Sequence, residues 1–227
     1  MEISNQTPFQ VEAIPAIGPK DLQILTVIVK GTFLFEQARS VIIADKQIPI
    51  AYGDEFYDAK NGGSVKFESD TAPFKPKADI AMIGRAYAPG GKDVQILDVL
   101  LRVDRVKKIL RVFGDRIWFY SKQMLSENLK ISDPRPFSVM DIVYERAFGG
   151  MDTEHGAYCK ENLVGRGFRS TISKKGFHGD FLPNIEDPKY LIKSFEDRPM
   201  PAGFGFWNRS WRPRAEYIGT YDDAWRL

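Results

Sequence analysis

Between residues 97 and 120 apolar side chains recur at every second position, and this period leaves little but an antiparallel sheet open to the chain. Leu97, Val99, Leu101 and Val103 alternate with Asp98, Leu100 and Arg102; Leu110 and Val112 alternate with Ile109, Arg111 and Phe113; Gly114-Asp115 then leads into Ile117, Trp118, Phe119 and Tyr120. Successive side chains of a strand point to opposite faces, so this spacing buries one face of each strand. The pattern predicts three consecutive strands, with one connection around residues 104–107 and the next a hairpin at Gly114-Asp115.

Upstream, residues 24–35 form the most apolar run. Lys30 and Gly31 interrupt it, and Val27, Ile28, Val29, Thr32 and Phe33 favour a buried strand, so the run predicts the central strand of a sheet. Further strands are expected over residues 41–50 and 80–87, separated by turn-rich segments at 58–64 and 69–77. Pro73 and Pro76 make the second segment an extended crossing or edge piece that cannot donate at those positions. Residues 122–130 and 188–194 could each form one short helix, the latter with Pro188 in its first turn. The expected fold is mainly β: antiparallel sheets in a sandwich or a partly open barrel, a long ordered Gly/Pro/aromatic loop region, and one or two short helices. We read a single domain over residues 1–227, strand-rich to about 120 and loop-rich from 121 onward. No internal repeat supports a solenoid or propeller.

Of the 227 residues, 43% are hydrophobic and 13% aromatic, enough for a folded core. The formal charge is only +2, and no run of five like charges occurs, so nucleic acid is not an expected partner. A lone Cys159 cannot close an intramolecular disulfide, and Met1-Glu2-Ile3-Ser4-Asn5 lacks the basic and apolar regions of a signal peptide. No apolar stretch approaches the roughly 20 residues needed to span a bilayer. These features predict a cytoplasmic protein with no membrane insertion.

Function is best sought where glycine breaks up aromatic and arginine residues. Tyr144-Glu145-Arg146-Ala147-Phe148-Gly149-Gly150, Pro201-Ala202-Gly203-Phe204-Gly205-Phe206-Trp207 and Trp211-Arg212-Pro213-Arg214 are too irregular for ordinary helices or strands. Their backbone is bent to present large side chains at chosen angles, which suits recognition better than catalysis. The candidate partner-binding residues are therefore Tyr144, Arg146, Phe148, Phe204, Phe206, Trp207, Trp211 and Arg212, because aromatic and arginine anchors dominate interface energies. Packing of a long loop on the sheet is the competing account, and exposure decides between them. In an extended segment one of Glu145 and Arg146 would face inward and need a partner; a buried ion pair is the first expectation and a binding role the second.

Other chemistry has weaker support. His155, His178 and Cys159 lack the spacing of a zinc site, and a Cys159–His178 nucleophile pair has no local support. Asp70, Asp79, Asp115, Glu145 and Asp222 include no pair recognisable from sequence as a glycosidase couple, and Asp70 and Asp115 read as turn formers. Gly165-Arg166-Gly167 and Gly203-Phe204-Gly205 read as bends, without the third glycine of a dinucleotide site. Asn208-Arg209-Ser210 matches a glycosylation acceptor by chance in a cytoplasmic chain. No metal and no cofactor is expected.

The ordered landmarks nevertheless form a recognisable set: Asn5 with Thr7-Pro8-Phe9; Val29-Lys30-Gly31-Thr32-Phe33; Ser69-Asp70 with Pro73 and Lys75-Pro76; Val112-Phe113-Gly114-Asp115-Arg116 with Trp118; Pro136-Phe137; the Tyr144 motif; Asn162 with Val164-Gly165; Leu182-Pro183-Asn184; Pro201 to Gly205; and Gly219-Thr220-Tyr221-Asp222 with Trp225. In these the chain resembles the bacterial family designated domain of unknown function 2169 (DUF2169). It departs from the pattern at Asp141, where a proline is expected, and at Leu227, where relatives continue, so a short or truncated form is expected. The resemblance implies a type VI secretion accessory protein: a non-enzymatic adaptor or chaperone that stabilises a secreted effector and helps load it on spike proteins of the VgrG or PAAR type. It implies no catalytic residue. The alternative is a carbohydrate-binding or cell-wall-acting enzyme module, suggested by aromatic side chains near carboxylates.

Overall fold

The computed structural model describes residues 3–18, 21–35, 40–58, 60, 62–72, 78–123, 126–171 and 179–212. The chain is mainly β, in small antiparallel sheets with short 3-10 turns, and no closed barrel forms among the described residues. Strands β1 (Gln10–Ile17) and β2 (Gln23–Lys30) make a hairpin, and β3 (Phe33–Phe35) and β4 (Val41–Ile43) make a second. β5 (Glu55–Phe56) pairs with β6 (Val65–Phe67) across a bulge. β7 (Arg85–Tyr87), β8 (Ile96–Val103) and β9 (Val106–Phe113) follow, then the β10 (Trp118–Gln123) and β11 (Ser126–Ile131) hairpin. β12 (Val139–Asp141) returns to pair with β7. The loop-rich part holds two-residue strands: β13 (Phe148–Gly149), β14 (Met151–Asp152), β15 (Ala157–Tyr158), β16 (Arg166–Gly167) and β17 (Ile185–Glu186). β13 and β16 run parallel, and β17 joins the free side of β9.

The 97–120 alternation produces the β8–β9 hairpin as expected, turned at Asp104, whose φ of 51° is left-handed. The third strand does not follow. Gly114 donates its N–H to the Gln95 carbonyl at 3.0 Å, and a Cβ there would fall 1.6 Å from the Arg135 carbonyl oxygen. Gly114 is thus a site of close backbone crossing rather than a turn, and β10 leaves β9 to pair with β11. That β10–β11 pairing also replaces the helix expected over 122–130. Residues 188–194 form a turn and extended chain, where Asp187 accepts from the Lys189 N–H and Asp197 from those of Lys193 and Ser194. The strands expected over 41–50 and 80–87 shorten to β4 and β7, and Pro73 and Pro76 lie outside the described residues.

Three adjoining clusters make the interior. Leu110 and Val112 of β9 pack with Ala86, Phe137, Met140, Ile142, Ile185, Ala202 and Phe204. Trp118, Phe148, Cys159, Leu182 and Ile192 form the second, and Tyr144, Ala147 and Trp211 the third. The irregular loops therefore supply much of the core, which the glycines permit: a Cβ on Gly203 would lie 2.8 Å from the Tyr144 ring. No helix among the described residues is long and apolar enough to cross a membrane.

Candidate interaction surface

The 24–35 run forms strand but not a central, buried one. In an antiparallel pair, opposed residues share a face. One face of β1–β2 therefore carries Val11, Ala13, Pro15 and Ile17 opposite Val29, Val27, Leu25 and Gln23, with no charge. Val27 and Val29 keep 54% and 59% of their surface exposed. A cavity of about 550 Å³ opens along its far end, lined by Pro15, Ala16, Ile17, Gln23, Ile24 and Leu25. The other face carries Glu12 and Lys30, and both charges are used internally: Tyr52 donates its hydroxyl to Glu12 at 2.9 Å, and Lys30 pairs with Asp70 at 2.6 Å. On β3–β4 all six side chains are apolar and exposed, Phe35 at 85%. Both hairpins are two-stranded sheets with unpaired outer edges among the described residues.

The hairpins are tied down by side chains that imitate a strand partner. Gln47 accepts from the Thr32 N–H at 2.7 Å and donates to the Thr32 and Ala44 carbonyls, while Thr32 Oγ1 accepts from the Ile48 N–H. Asp70 also accepts from the Ala51 N–H at 2.7 Å, so it is a fastening point rather than a simple turn former. Arg209 reaches Glu68 at 2.9 Å and the Ser69 carbonyl at 3.1 Å. Glu145 accepts from the Ser64 N–H and hydroxyl, both at 2.7 Å.

The eight residues singled out from the glycine-rich motifs divide by exposure. Tyr144, Phe148, Phe204 and Trp211 are buried and spread over the three core clusters. Tyr144 gathers two tryptophans, Trp207 at 5.9 Å between ring centroids and Trp211 at 5.7 Å edge-on. Phe206, Trp207 and Arg146 are half-buried, and Arg212 is exposed. Trp211 is 2% exposed, so an alanine there opens a core cavity and cannot report on a surface alone. The expected buried ion pair involving Glu145 or Arg146 is replaced by the Glu145–Ser64 bonds and by a bond from Arg146 Nη1 to Asn184 Oδ1 at 3.3 Å.

Three buried polar residues outside that set hold the loops together. Asn162 Nδ2 donates to the Tyr144 and Phe148 carbonyls at 2.8 and 3.0 Å. Asn184 Nδ2 donates to the Phe113 carbonyl and to Asp115 Oδ1, which is why Asp115 is not hairpin chemistry. Arg116 bonds the Pro183 carbonyl at 2.8 Å, pairs with buried Glu186 and covers the Phe113 ring at 3.7 Å. Desolvation raises the Glu186 pKa, opposed by Arg116 and by the Ile192 N–H. Such single bonds have no sequence period; Asn162, Leu182-Pro183-Asn184 and Arg116 stand out in the sequence only as family landmarks.

Titratable groups elsewhere read as structural. Asp152, Glu154 and His155 bring donor atoms within 4.8 Å of one another. Asp152 is already engaged by the Ser170 N–H and hydroxyl, Arg169 and His155, a set containing a cation rather than an open position. Burial alone would raise its pKa, but these donors hold it well below the usual carboxylate range. Cys159 is 4% exposed; burial and a bond to Glu161 push its thiol up to about 11, so it is protonated at neutral pH. His178 and Asp222 lie outside the described residues. Asp79 is exposed.

A family model described as an uncharacterized protein conserved in bacteria, DUF2169, matches residues 20–227. The chain belongs to the DUF2169 family. No curated protein and no solved structure matches it. In this DUF2169 protein an uncharged, exposed surface lies on the hairpin pair, linked through Lys30–Asp70 to the segment that Ser64–Glu145 and Arg209 fasten to a loop-built core.

Proposed function

We propose that this DUF2169 protein is a non-enzymatic adaptor that binds a secreted effector in the bacterial cytoplasm, stabilises it, and helps load it on the spike of a type VI secretion system. The observation that carries the binding part is the uncharged, exposed face of β1–β2 beside the two-sided apolar β3–β4 ribbon. Two-stranded hairpins are marginal in water without a third strand or a packed partner. Open edges supply backbone donors and acceptors to an added strand, and alternating side chains supply selectivity. The secretion part rests on the family resemblance.

The test is affinity capture from the native bacterium with wild-type protein and with Val27→Glu, followed by mass spectrometry after a moderate-salt wash. The adaptor reading expects one toxin or spike component near stoichiometry with wild type and its loss with V27E. Equal recovery by both proteins removes the hairpin face as the interface. Binding to peptidoglycan or to a glycan array, with no protein retained, would favour the carbohydrate reading instead.

A further inference from the structure

Arg146 carries a charge into a half-buried site where, among the described residues, no anion meets it. Its guanidinium bonds Asn184 Oδ1, a neutral acceptor, at 3.3 Å, and among the described residues no carboxylate pairs with it. The adjacent Glu145 is committed to Ser64 through both oxygens. Asp115 Oδ1 accepts from Asn184 Nδ2 at 3.0 Å and stands 3.8 Å from Arg166 Nη1. Arg166 is half-buried as well and bonds the Glu145 carbonyl through Nε at 3.1 Å. Burial, and then the Arg146 charge, lower the Arg166 pKa, as expected of two guanidinium groups held close together. Of the two cations, Arg166 alone stands near a carboxylate among the described residues, Asp115, which is itself bonded to Asn184.

A guanidinium offers five N–H donors in a planar fork, and charges withdrawn from water are ordinarily paired. We infer that Arg146 and Arg166 form a receptor for a carboxylate carried by a bound polypeptide, as an acidic side chain or a C-terminus. The fork matches a carboxylate in two parallel bonds, and Asn184 holds Arg146 in place for it. Arg166, though not Arg146, also lines a cleft of about 200 Å³ with Trp118, Phe168, Phe181 and the Arg169–Asp180 ion pair, whose two charges offset each other. That volume is below the range of drug-sized ligands and suits one short side chain. The inference stands on the arginine geometry alone and does not require the hairpin interface.

The experiment is a titration of the full chain, labelled with ¹⁵N-arginine, with sodium acetate at ionic strength held constant by chloride, following the Nε–Hε resonances. Arg146 and Arg166 are expected to shift together and saturate, while Arg105, whose side chain is 93% exposed, drifts linearly. Arg146→Gln should abolish the saturable response of Arg166, and Asp115→Asn, which removes the competing internal carboxylate, should tighten acetate binding several-fold. Linear behaviour at both arginines overturns the site. Saturation by inorganic phosphate but not acetate overturns the carboxylate assignment. Should R146Q fail to fold, an unchanged acetate affinity in D115N overturns the proposal by itself.

Discussion

Trp211 shows at the scale of one residue how the loop motifs work. It was a candidate for an exposed anchor; instead it stands edge-on to Tyr144 at 5.7 Å and is 2% exposed. Trp211→Ala should cost about 3–5 kcal/mol in urea unfolding, the range for deleting a buried aromatic; a loss under about 1 kcal/mol would contradict its place in the core. Asp152 gives a pH signature. Its folded pKa lies below the ordinary 3.8, so the stability it adds is complete above the unfolded pKa and lost as pH falls through the folded one. Asp152→Asn should therefore lower stability at neutral pH and flatten the acid limb of the stability profile, read by denaturant titration between about pH 6 and 2. Cys159, with its thiol raised to about 11, should alkylate slowly in the native state at neutral pH and quickly when unfolded.

At the scale of the element, the alternation of Leu97, Val99 and Leu101 was legible because those side chains pack on the first core cluster. β9 and its hairpin with β8 follow from that pattern directly. The handover at Gly114 was not legible, because a close backbone crossing at Arg135 and a turn both ask for the same residue. The 24–35 run is strand, as its residues predict, but not core: apolarity reports that water is to be excluded, and says nothing of whether the chain itself does the excluding. Arg146 was found as a candidate, whereas Asn184 and Arg166, which define its surroundings, belong to distant loops with no shared period. For the free protein, hydrogen exchange should be markedly faster in β1 to β4 than in β8–β9, because the hairpins have open edges and exposed bonds while Leu110 and Val112 are fully buried. Equal protection would mean that the hairpins are stabilised without a partner.

Over the whole molecule, the burden of stability and the exposed apolar surface fall on different parts of the chain. The loops that looked functional supply Tyr144, Phe148, Phe204 and Trp211 to the interior, and the N-terminal hairpins that looked like core carry the exposed apolar face. Side-chain fastenings connect the two through the β5–β6 segment: Lys30 to Asp70 on the hairpin side, Glu145 to Ser64 and Arg209 to Glu68 on the interior side. A single charge on the hairpin face should then separate folding from binding, since Val27→Glu falls on an exposed position where substitutions usually change stability within about 0.5 kcal/mol. The most direct test compares hydrogen exchange of the free chain with that of its complex with the captured partner. The account predicts strong new protection in residues 10–17, 23–35 and 41–43, absent when V27E replaces wild type. Protection confined to the loop-built core, with the hairpins still exchanging freely, would contradict it.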